Sequence, residues 1–578
     1  MKLRDILQVP ESQYTARQIL RWLWGAWKGN RFQAILNMLI GIAGVVISLS
    51  SVWAIQHATD IAAGTYKGSL YGAVGVMAAL ILMGFGVHIA RVWVKNILGV
   101  RARNRMQLLM LDRLLRSEWR SKSRFHSGDV INRLEQDVNT VVDFLTETLP
   151  NTVSVLAMFA GAFCYLFQMD VYLACITVAI LPVFMLLSRI YVGHMRKYTR
   201  QVRTSDSRIQ GILQETVQYR MLIKTLEASG QMLERLDDNQ TELRSRVRRR
   251  TVFSVFSNLV LQFGFALGYI IAFLWSALRL YHHTITFGQM TAFLQLVFRI
   301  QNPARDLTKL APAFVSVFTA AERLMELEDV PEEQQGEPLE MQGPCGVRLN
   351  DVSYAYENDE KVIDHLTFDF QPGTSTAILG ETGAGKTTLI RLILALLHPQ
   401  EGRVEIYDRQ SSMEVSPLHR CNFVYVPQGN TLLSGTIREN LLLGNPQATD
   451  QMMIEALHRS CADFVLDLPD GLDTVCSERG GGLSEGQAQR ITIARALLRD
   501  KQIMLFDEAT SSLDPETERQ LLQNILATHD KTILFITHRM AVVDFCDHTL
   551  RVRGSEVRDF NSLILQFFNS SIFQFSRN

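Results

Sequence analysis

Six long apolar segments constrain the fold of this 578-residue chain more than any other feature of its sequence. They cover residues 32–56, 70–94, 148–167, 171–192, 252–280 and 289–318. Each of the first five is long enough, and poor enough in charge, to cross the roughly 30 Å hydrocarbon core of a bilayer as a helix. The sixth is expected to continue as a helix into water, because it is interrupted by Arg299, Arg305, Asp306 and Lys309. The sequence therefore predicts an all-α domain of six transmembrane helices in a lipid bilayer.

Basic residues in the connections between these segments predict the orientation of the chain. The connection 57–69 carries Lys67 as its one basic residue, and 168–170 and 281–288 carry none, whereas 97–145 and 193–250 are rich in lysine and arginine. Because basic connections stay on the cytoplasmic side, we expect a protein of the cytoplasmic membrane with both termini in the cytoplasm. The helical periodicity of the two long connections predicts that spans two to five project well beyond the bilayer.

Charge and cysteine content say little about partners. Lysine plus arginine and aspartate plus glutamate both total 58, so we predict no nucleic-acid partner. The seven cysteines are scattered and form no C-x-x-C pair, which indicates reduced, structural thiols. Near the N-terminus, Arg17–Trp24 has an amphipathic pattern with aromatic residues beside basic ones. It fits a helix at the membrane interface or an ordinary surface helix.

A change in composition divides the chain into a membrane half and a soluble half. Residues 331–345 are rich in proline, glycine and acidic residues and are interpreted as a linker. From residue 346 to 578, short apolar strands alternate with helical stretches, which predicts an α/β domain with a largely parallel sheet. We therefore place a transmembrane domain at 1–330 and a soluble domain, expected in the cytoplasm, at 346–578.

The segment Gly380–Thr387, GETGAGKT, fits the phosphate-binding pattern G-x-x-x-x-G-K-S/T. A predicted strand, Thr376–Leu379, precedes it and a predicted helix, Leu389–Leu394, follows. In this setting backbone N–H groups surround the phosphates, Lys386 reaches the β- and γ-phosphates and the Thr387 hydroxyl holds Mg²⁺. The chain is thus predicted to bind a nucleoside triphosphate through Gly380, Glu381, Thr382, Gly383, Ala384, Gly385, Lys386, Thr387 and Thr388.

Two further patterns support this prediction. The apolar run Ile503–Phe506 ends in Asp507, which suits a Mg²⁺-associated acid, and Glu508, which would point to the other side of the strand and polarise a water. A turn at a strand end is the alternative. The string Leu483–Gln487, LSEGQ, places a serine and a glycine at a predicted helix start, where backbone N–H groups and the helix dipole favour phosphate. An ordinary capped helix would explain Ser484 but not the whole string.

Taken together, the chain resembles an ATP-binding cassette (ABC) half-transporter of the exporter type, with six membrane helices fused to one nucleotide-binding domain of the P-loop NTPase class. GETGAGKT resembles the Walker A motif, LSEGQ the family signature and IMLFDE the Walker B motif with its catalytic glutamate. Glu485 stands where glycine is most usual in the signature. Three positions expected to approach phosphate remain intact, namely Ser484, Gly486 and Gln487.

Other matches follow in the order of the family. Gln428 resembles the Q-loop glutamine, Ser512–Asp514 the D-loop and His538 the switch histidine. Tyr356 is placed like the aromatic that stacks on adenine, and Tyr354 is the nearby alternative. The resemblance implies that Glu508 activates water, His538 contacts the γ-phosphate, Gln428 senses Mg²⁺ and the interface, and Lys386 holds phosphate. Mg²⁺ would be positioned by Thr387, Gln428 and Asp507, and Asp514 would lie at the nucleotide.

The membrane half has likenesses to the family as well. Arg124–Val138 and Ile212–Ala228 are similar to the two cytoplasmic coupling regions of exporters, and Glu478–Gly480 sits where exporters contact the membrane domain. The tail departs from many relatives, because it is rich in phenylalanine at Phe567, Phe568, Phe573 and Phe575.

The resemblance implies a dimer, because each ATP lies between the Walker A motif of one chain and the signature of the other. The complete set of catalytic residues favours a homodimer, and a heterodimer remains open. ATP-driven export is expected, with an importer of the same fold, for instance of a metal–siderophore complex, and a regulatory or channel-like ATPase as alternatives.

The cargo is not indicated by any one residue. Arg299 either lines a cavity that favours anionic or zwitterionic cargo or forms a structural ion pair. Arg91 and Lys95 are expected near the cytoplasmic interface. His57 and Asp60, with His282 and His283, are expected to face water at the outer ends of the spans.

Overall fold

A computed structural model describes residues 13–119, 127–307, 310–356, 361–381, 383–476, 482–527, 530–553 and 556–561 of the chain. The chain separates into two compact units. The first contains Met1–Leu114 and Ser127–Asp329, and the second contains Leu115–His126 and Val330–Asn578. Several predicted features lie outside the described residues, namely Thr382, Lys309, Glu478–Gly480 and the phenylalanines of the tail.

The described part of the first unit is helical. Its helices are α1 (Ala16–Ala26), α2 (Arg31–Ala62), α3 (Leu70–Arg116), α4 (Ser127–Asn132), α5 (Val138–Asp143), α6 (Leu149–Met169), α7 (Val171–Gln218), α8 (Arg220–Thr225), α9 (Ser229–Tyr281), α10 (Phe287–Leu307) and α11 (Leu310–Glu328). Two π-helical segments, Arg133–Asp137 and Phe144–Thr148, connect α4, α5 and α6.

Four helices in the described part of the chain are long and apolar enough to cross a membrane: Arg31–Ala62, Leu70–Arg116, Gly128–Met169 and Gln262–Tyr281. The apolar segments assigned to spans four and six fall in α7 and α10, which are also helical. The count of six spans therefore stays a prediction. Three helices, α3, α7 and α9, have 47, 48 and 53 residues. At 1.5 Å per residue they are about 70–80 Å long, so they extend far beyond a bilayer core, as expected.

Helices α7 and α9 form a long pair with α8 between them at one end. Arg208 on α7 lies 3.4 Å from the carboxylate of Glu242 on α9. Arg246 on α9 donates at 3.1 Å to the carbonyl of Gln201 on α7. At the other end of α7, the buried Asp170 caps the helix and pairs with Arg279 of α9 at 2.7 Å. Polar contacts thus connect the two helices at both ends.

Asp60 does not face water, and the prediction for this residue was wrong. Its side chain is buried, and its Oδ1 accepts a hydrogen bond of 2.9 Å from the backbone N–H of Gly288. Gly288 lies in the first turn of α10, where backbone N–H groups have no partner within the helix. A Cβ atom at Gly288 would lie 2.5 Å from the Asp60 carboxylate, so only glycine fits. His282 and His283 are exposed, as expected.

Helix α1 packs against the end of the first unit. Thr15 and Gln18 form a reciprocal cap at its start. Ile19 and Leu23 are buried on one face, and Trp22 donates at 2.6 Å to Glu328 at the end of α11. Trp24 stays about half exposed, at 55 %. These contacts account for the buried face of this amphipathic helix. Its exposed face fits either a membrane interface or an ordinary surface in water.

The second unit is an α/β domain. Its strands are β1 (Gly346–Ala355), β2 (Lys361–Phe370), β3 (Ser375–Gly380), β4 (Glu401–Tyr407), β5 (Ser412–Glu414), β6 (Phe423–Val426), β7 (Gly435–Thr436), β8 (Val475–Cys476), β9 (Ile503–Asp507), β10 (Thr532–Ile536), β11 (His548–Arg553) and β12 (Glu556–Asn561). Its helices are α12 (Lys386–Ile393), α13 (Ile437–Leu442), α14 (Asp450–Arg459), α15 (Glu485–Arg499), α16 (Pro515–Leu526) and α17 (Met540–Val543).

The central sheet has the order β12-β11-β3-β10-β9-β6 and is parallel except for β12, as the alternation of strands and helices predicted. A second, antiparallel sheet has the order β2-β1-β4-β5. Strand β9 shows why its sequence is a continuous apolar run. Ile503 and Leu505 enter one hydrophobic core, and Met504 and Phe506 enter the other. Because both faces are buried, no polar residue alternates with them, and the carboxyl ends of β3, β9 and β10 meet at one edge.

Two further expectations concern the cysteines and the predicted linker. The seven cysteines are all free thiols, as predicted. The segment interpreted as a linker contacts the α/β domain, since Arg420 binds Glu333 with two hydrogen bonds of 2.6 and 2.9 Å. Further along, the buried Asn422 accepts at 2.8 Å from the backbone N–H of Met341. Two points of this segment are therefore anchored within the second unit.

Candidate nucleotide site

The loop between β3 and α12 has the geometry of a phosphate-binding loop. Gly383 and Gly385 both have left-handed backbones, with φ of +88° and +95°. A Cβ atom at Gly385 would lie 2.9 Å from the carbonyl oxygen of Val362, so this position excludes larger residues by contact as well as by conformation. Helix α12 begins directly afterwards at Lys386, whose first-turn N–H groups lack partners within the helix. The loop therefore presents backbone donors, as an anion requires.

Lys386 is buried at the base of this loop, with 7 % of its surface exposed. Its ammonium donates to the carbonyls of Gly380 at 2.5 Å and Glu381 at 3.2 Å. Burial lowers the pKa of Lys386, and the nearby charges of Glu508 and Asp507 oppose that shift. Because a buried cation is costly without a counter-charge, this side chain is well suited to an anionic phosphate.

Asp507 and Thr387 supply oxygen atoms that fit a magnesium ion. Asp507 is buried at the end of β9, and burial raises the pKa of its carboxyl group. Hydrogen bonds from Tyr425 and Thr387, and the charge of Lys386, counter that shift. Hard oxygen donors of this kind are the ligands that Mg²⁺ prefers, with phosphate and water completing its shell. Among the residues described, no cluster of three or more His, Cys, Asp or Glu side chains could hold a metal.

Tyr425 was missed by the sequence analysis. Its hydroxyl donates to Oδ2 of Asp507 at 3.3 Å, and burial together with that carboxylate raises its pKa. Strand β6 pairs with β9 so that Tyr425 lies beside Leu505, two residues before Asp507. The sequence shows a tyrosine three residues before Gln428. Its contact with Asp507 cannot be predicted without knowing that β6 pairs with β9.

Glu508 lies just beyond β9 and not within it, so the expectation based on strand alternation was wrong. Its backbone is left-handed, with φ of +48°, and its N–H donates to the carbonyl of Ile536 at 3.0 Å. Such a conformation costs a non-glycine residue about 1 kcal/mol. The direction of the Glu508 carboxylate is therefore set by this turn and not by the alternation of side chains along a strand.

The structure brings the four predicted catalytic residues together. The Glu508 carboxylate accepts a 2.6 Å hydrogen bond from the amide of Gln428 and lies 2.8 Å from Nε2 of His538. The same Nε2 lies 3.0 Å from the ammonium of Lys386. Since this nitrogen carries at most one proton, it can donate to Glu508 or accept from Lys386. The four side chains thus form one connected set beside Asp507.

The signature residues form a capped helix start. Ser484 accepts from the N–H of Gln487 at 3.2 Å, and the Gln487 side chain accepts from the N–H of Ser484 at 2.9 Å. A Cβ atom at Gly486 would lie 2.8 Å from the carbonyl oxygen of Ser512, so glycine is required for contact with the D-loop. Capping therefore explains Gln487 as well as Ser484. In the part of the chain described, none of the three hydrogen-bonds to Gly380–Thr388.

The D-loop and the switch histidine are connected by Arg539, which the sequence analysis did not identify. Its guanidinium donates to Glu518 at 2.8 Å and to the carbonyls of Leu513 at 3.0 Å and Ser511 at 2.8 Å. Asp514 caps α16 by accepting from the N–H of Thr517 at 3.0 Å, and this hydrogen bond lowers its pKa. The position of Arg539 directly after His538 was the only signal in the sequence.

Of the two candidate tyrosines, only Tyr356 is accessible to a ligand. It is 39 % exposed, and its hydroxyl lies 3.1 Å from the hydroxyl of Thr388. Tyr354 is fully buried in the core beneath it, with the ring centroids 5.1 Å apart and the planes nearly perpendicular. Tyr354 therefore packs the sheet, and Tyr356 presents its ring beside the phosphate-binding loop.

Comparison with known proteins agrees with this geometry. Residues 34–303 match the family model described as the ABC transporter transmembrane region, and residues 363–511 match the one described as ABC transporter. An uncharacterised ABC transporter ATP-binding protein of Sinorhizobium fredii is 28 % identical over 89 % of both chains. A fatty acid ABC transporter ATP-binding/permease protein of Mycobacterium tuberculosis is 30 % identical over 74 % of this chain and 69 % of its own length.

A putative multidrug export ATP-binding/permease protein of Staphylococcus aureus is likewise 30 % identical, over 74 % of this chain and 75 % of its own length. With a membrane domain and a nucleotide-binding domain in one polypeptide, the protein is a membrane ATPase that drives transport. The chain belongs to the ABC transporter family, as a half-transporter of the exporter type.

Proposed function

We propose that this chain exports a substrate across the cytoplasmic membrane as a dimer, with two ATP molecules hydrolysed at sites shared between the subunits. The observation that carries the proposal is the connected set of Lys386, Gln428, Glu508 and His538 beside Asp507. A chain that only bound nucleotide would not need a carboxylate held at a strained turn by two hydrogen-bonding side chains. The arrangement is suited to general-base catalysis at a phosphate.

Each residue of the set has a proposed role. Lys386 and the N–H groups of 380–388 bind phosphate oxygens, and Glu508 accepts a proton from the attacking water. His538 donates to the γ-phosphate or to Glu508, because its Nε2 lies within reach of both sides of the site. Mg²⁺, when bound by Thr387 and Asp507, would neutralise developing phosphate charge. Gln428 donates its amide to Glu508, which leaves its oxygen for the ion.

The position of the signature residues supports a dimer. Ser484, Gly486 and Gln487 form the start of the 15-residue helix α15 and are not hydrogen-bonded to the phosphate-binding loop of their own chain among the described residues. A second copy would bring its signature to this loop, with Asp514 and the D-loop beside it. Because one chain has every catalytic group, a homodimer is the simplest assembly, and a heterodimer is the alternative.

Export and orientation rest on the sequence and the relatives. We place the transmembrane domain at 1–330, the linker at 331–345 and the nucleotide-binding domain at 346–578, with six spans and both termini in the cytoplasm. A relative named for multidrug export supports export. Uptake into inside-out vesicles would support export, and uptake into right-side-out vesicles would support the importer. The assembled catalytic residues argue against a purely regulatory ATPase.

The proposal is tested by ATP hydrolysis with this chain alone in lipid. We expect Mg²⁺-dependent turnover that falls by about 10²–10⁴-fold in Glu508→Gln, while ATP binding persists. Glu516→Gln, which removes an exposed carboxylate from the first turn of α16, is the control and should retain turnover. Near-normal turnover in Glu508→Gln would refute the catalytic assignment. ATP binding without turnover in the unmodified chain would refute the homodimer and indicate a missing partner chain.

A further inference from the structure

A cavity of about 520 Å³ lies within the first unit between α2, α3, α6 and α10. This volume is in the range of sites for small organic ligands. Glycines of α2 and α3 leave space along it: a Cβ atom at Gly84 would lie 3.8 Å from Ile47, and one at Gly44 would lie 3.5 Å from Val87, which are ordinary contact distances. The four helices carry the apolar segments predicted to cross the bilayer, so the cavity lies at membrane depth.

The cavity wall is mostly apolar, with Val45, Ile47, Leu80, Phe85 and Met158 among its side chains. Its polar residues are Ser48, Ser51, His88, Arg91, Ser154, Asn302 and Asp306. One end has Arg91, with Ser154 close by: a Cβ atom at Gly41 would lie 2.2 Å from the Ser154 hydroxyl and 3.7 Å from the Arg91 guanidinium. The other end has Ser51, whose hydroxyl accepts from Arg299 at 3.4 Å. Gly41 and Ser51 are ten residues apart on α2, or about 15 Å.

In the part of the chain that the structure describes, neither arginine forms an ion pair with a carboxylate. Arg91 donates to the amide oxygen of Asn151 at 3.3 Å, and Arg299 donates to the Ser51 hydroxyl. Both hydrogen-bond partners are neutral. The Glu147 carboxylate is close enough to act on the charge of Arg91, but its ion pair is with Lys95, at 2.6 Å. Among the described residues of the wall, Asp306 is the one carboxylate, and it has an interaction of its own. A half-buried guanidinium at membrane depth is costly and commonly marks a ligand pathway.

We infer that this cavity binds an amphiphile with an anionic headgroup, which would be the cargo if the proposed transport function holds. The headgroup binds Arg91, because this residue lines the cavity directly and a guanidinium matches the geometry of a carboxylate or phosphate. The chain of the ligand lies along the apolar side chains of the wall, towards Ser51 and Arg299. This assigns to Arg91 a binding role that the sequence analysis did not give it, since it had been expected at the interface.

The inference is tested by equilibrium binding to the full chain in phosphatidylcholine nanodiscs without nucleotide. The probe is a fluorescent fatty acid, 11-(dansylamino)undecanoic acid. We expect saturable binding that palmitate displaces. Cetyltrimethylammonium shares the apolar chain but has a cationic head, and butyrate and inorganic phosphate have the anionic group without the chain. None of these three should compete at the concentrations at which palmitate does.

Substitutions of single residues test whether the probe binds in this cavity. Arg91→Met should weaken probe binding at least 10-fold, and Arg299→Met should weaken it by a smaller factor. Arg101→Met, which removes an exposed arginine further along α3, should leave it unchanged. Gly84→Leu fills the cavity without removing a charge, and its Cβ meets only ordinary contact, so it should abolish binding in a folded protein.

Four results would overturn the inference: no saturable binding, equal competition by the cationic amphiphile, equal competition by butyrate or phosphate, or unchanged affinity in both Arg91→Met and Gly84→Leu. The second would indicate an apolar site, and the third would indicate a site for water-soluble anions. ATP hydrolysis, measured on the same nanodiscs with Glu508→Gln as the blank, separates this inference from the proposed function. Hydrolysis without binding refutes only the ligand, and binding without hydrolysis refutes only the proposed ATPase cycle.

Discussion

Arg539 and Glu518 form an ion pair of 2.8 Å that connects the residue after the switch histidine to the helix that follows the D-loop. Glu518 is 3 % exposed, so its charge has little access to water. The same guanidinium also holds the carbonyls of Ser511 and Leu513. Two loops that belong to different parts of the proposed catalytic cycle are therefore fixed to each other within one chain.

Removing this pair should affect both stability and turnover. We expect Arg539→Ala to lower the free energy of unfolding by about 2 kcal/mol, because a buried carboxylate loses its charged partner. ATP turnover should also fall several-fold, since His538 and the D-loop are no longer held together. Arg519→Ala removes an exposed arginine from the same helix as Glu518 and is the control. Wild-type melting and turnover in Arg539→Ala would contradict this interpretation.

The two left-handed glycines of the phosphate-binding loop should differ in their tolerance of alanine. Gly383→Ala meets no atom within 4 Å and should cost only the backbone strain, about 1 kcal/mol. Gly385→Ala adds a contact of 2.9 Å with the Val362 carbonyl and should cost a further 1–3 kcal/mol or so. Thermal unfolding without nucleotide measures the difference. Equal melting temperatures would show that the contact at Gly385 relaxes at no cost.

Magnesium dependence should separate Asp507 from its neighbour Tyr425. Asp507→Asn removes the carboxylate that would bind the ion, so we expect the Mg²⁺ concentration for half-maximal turnover to rise at least 10-fold. Tyr425→Phe removes only the hydroxyl that donates to that carboxylate at 3.3 Å. Its Mg²⁺ requirement should change by less than about threefold, which corresponds to a weak hydrogen bond. A larger shift in Tyr425→Phe than in Asp507→Asn would reverse the assignment of roles.

The exposed ring of Tyr356 should contribute to ATP affinity through stacking. Tyr356→Ala is expected to weaken binding about 5- to 100-fold, the usual range for loss of base stacking on an aromatic side chain. Tyr356→Phe keeps the ring and should bind ATP nearly as the unmodified chain does. Tyr354→Ala, by contrast, should lower the melting temperature, because that ring is buried in the core. Equal affinities for the three Tyr356 side chains would exclude a stacking role.

The strands and the phosphate-binding loop could be predicted because their patterns are local. The apolar run at 503–506 requires a strand buried on both faces, and the structure places its residues in two cores. The spacing of glycine and lysine in 380–387 likewise requires a loop before a helix. The accessibility of Tyr356 over Tyr354 was left open, since it depends on which face of β1 meets the core.

Other features depend on contacts between residues that are distant in sequence. They could not be predicted from the neighbouring residues alone. Asp60 looked like a solvent-facing residue at a helix end, but it accepts from Gly288, 228 residues away. The turn at Glu508 requires the carbonyl of Ile536 on the neighbouring strand. The cavity beside Arg91 is lined by residues of four helices, α2, α3, α6 and α10, and spacing within one helix does not reveal which residues of the other three it will face.

The paired helices α7 and α9 have a mechanical consequence. They are continuous over 48 and 53 residues and are connected by polar contacts at both ends. Two rods fixed in this way resist bending better than either alone, so a small rotation at one end reaches the other with little loss. Over roughly 72 Å, a rotation of about 10° would move the far tip by about 12 Å. The pair is therefore suited to act as a lever in the proposed transport cycle, with the short helix α8 at the end where its two helices are joined.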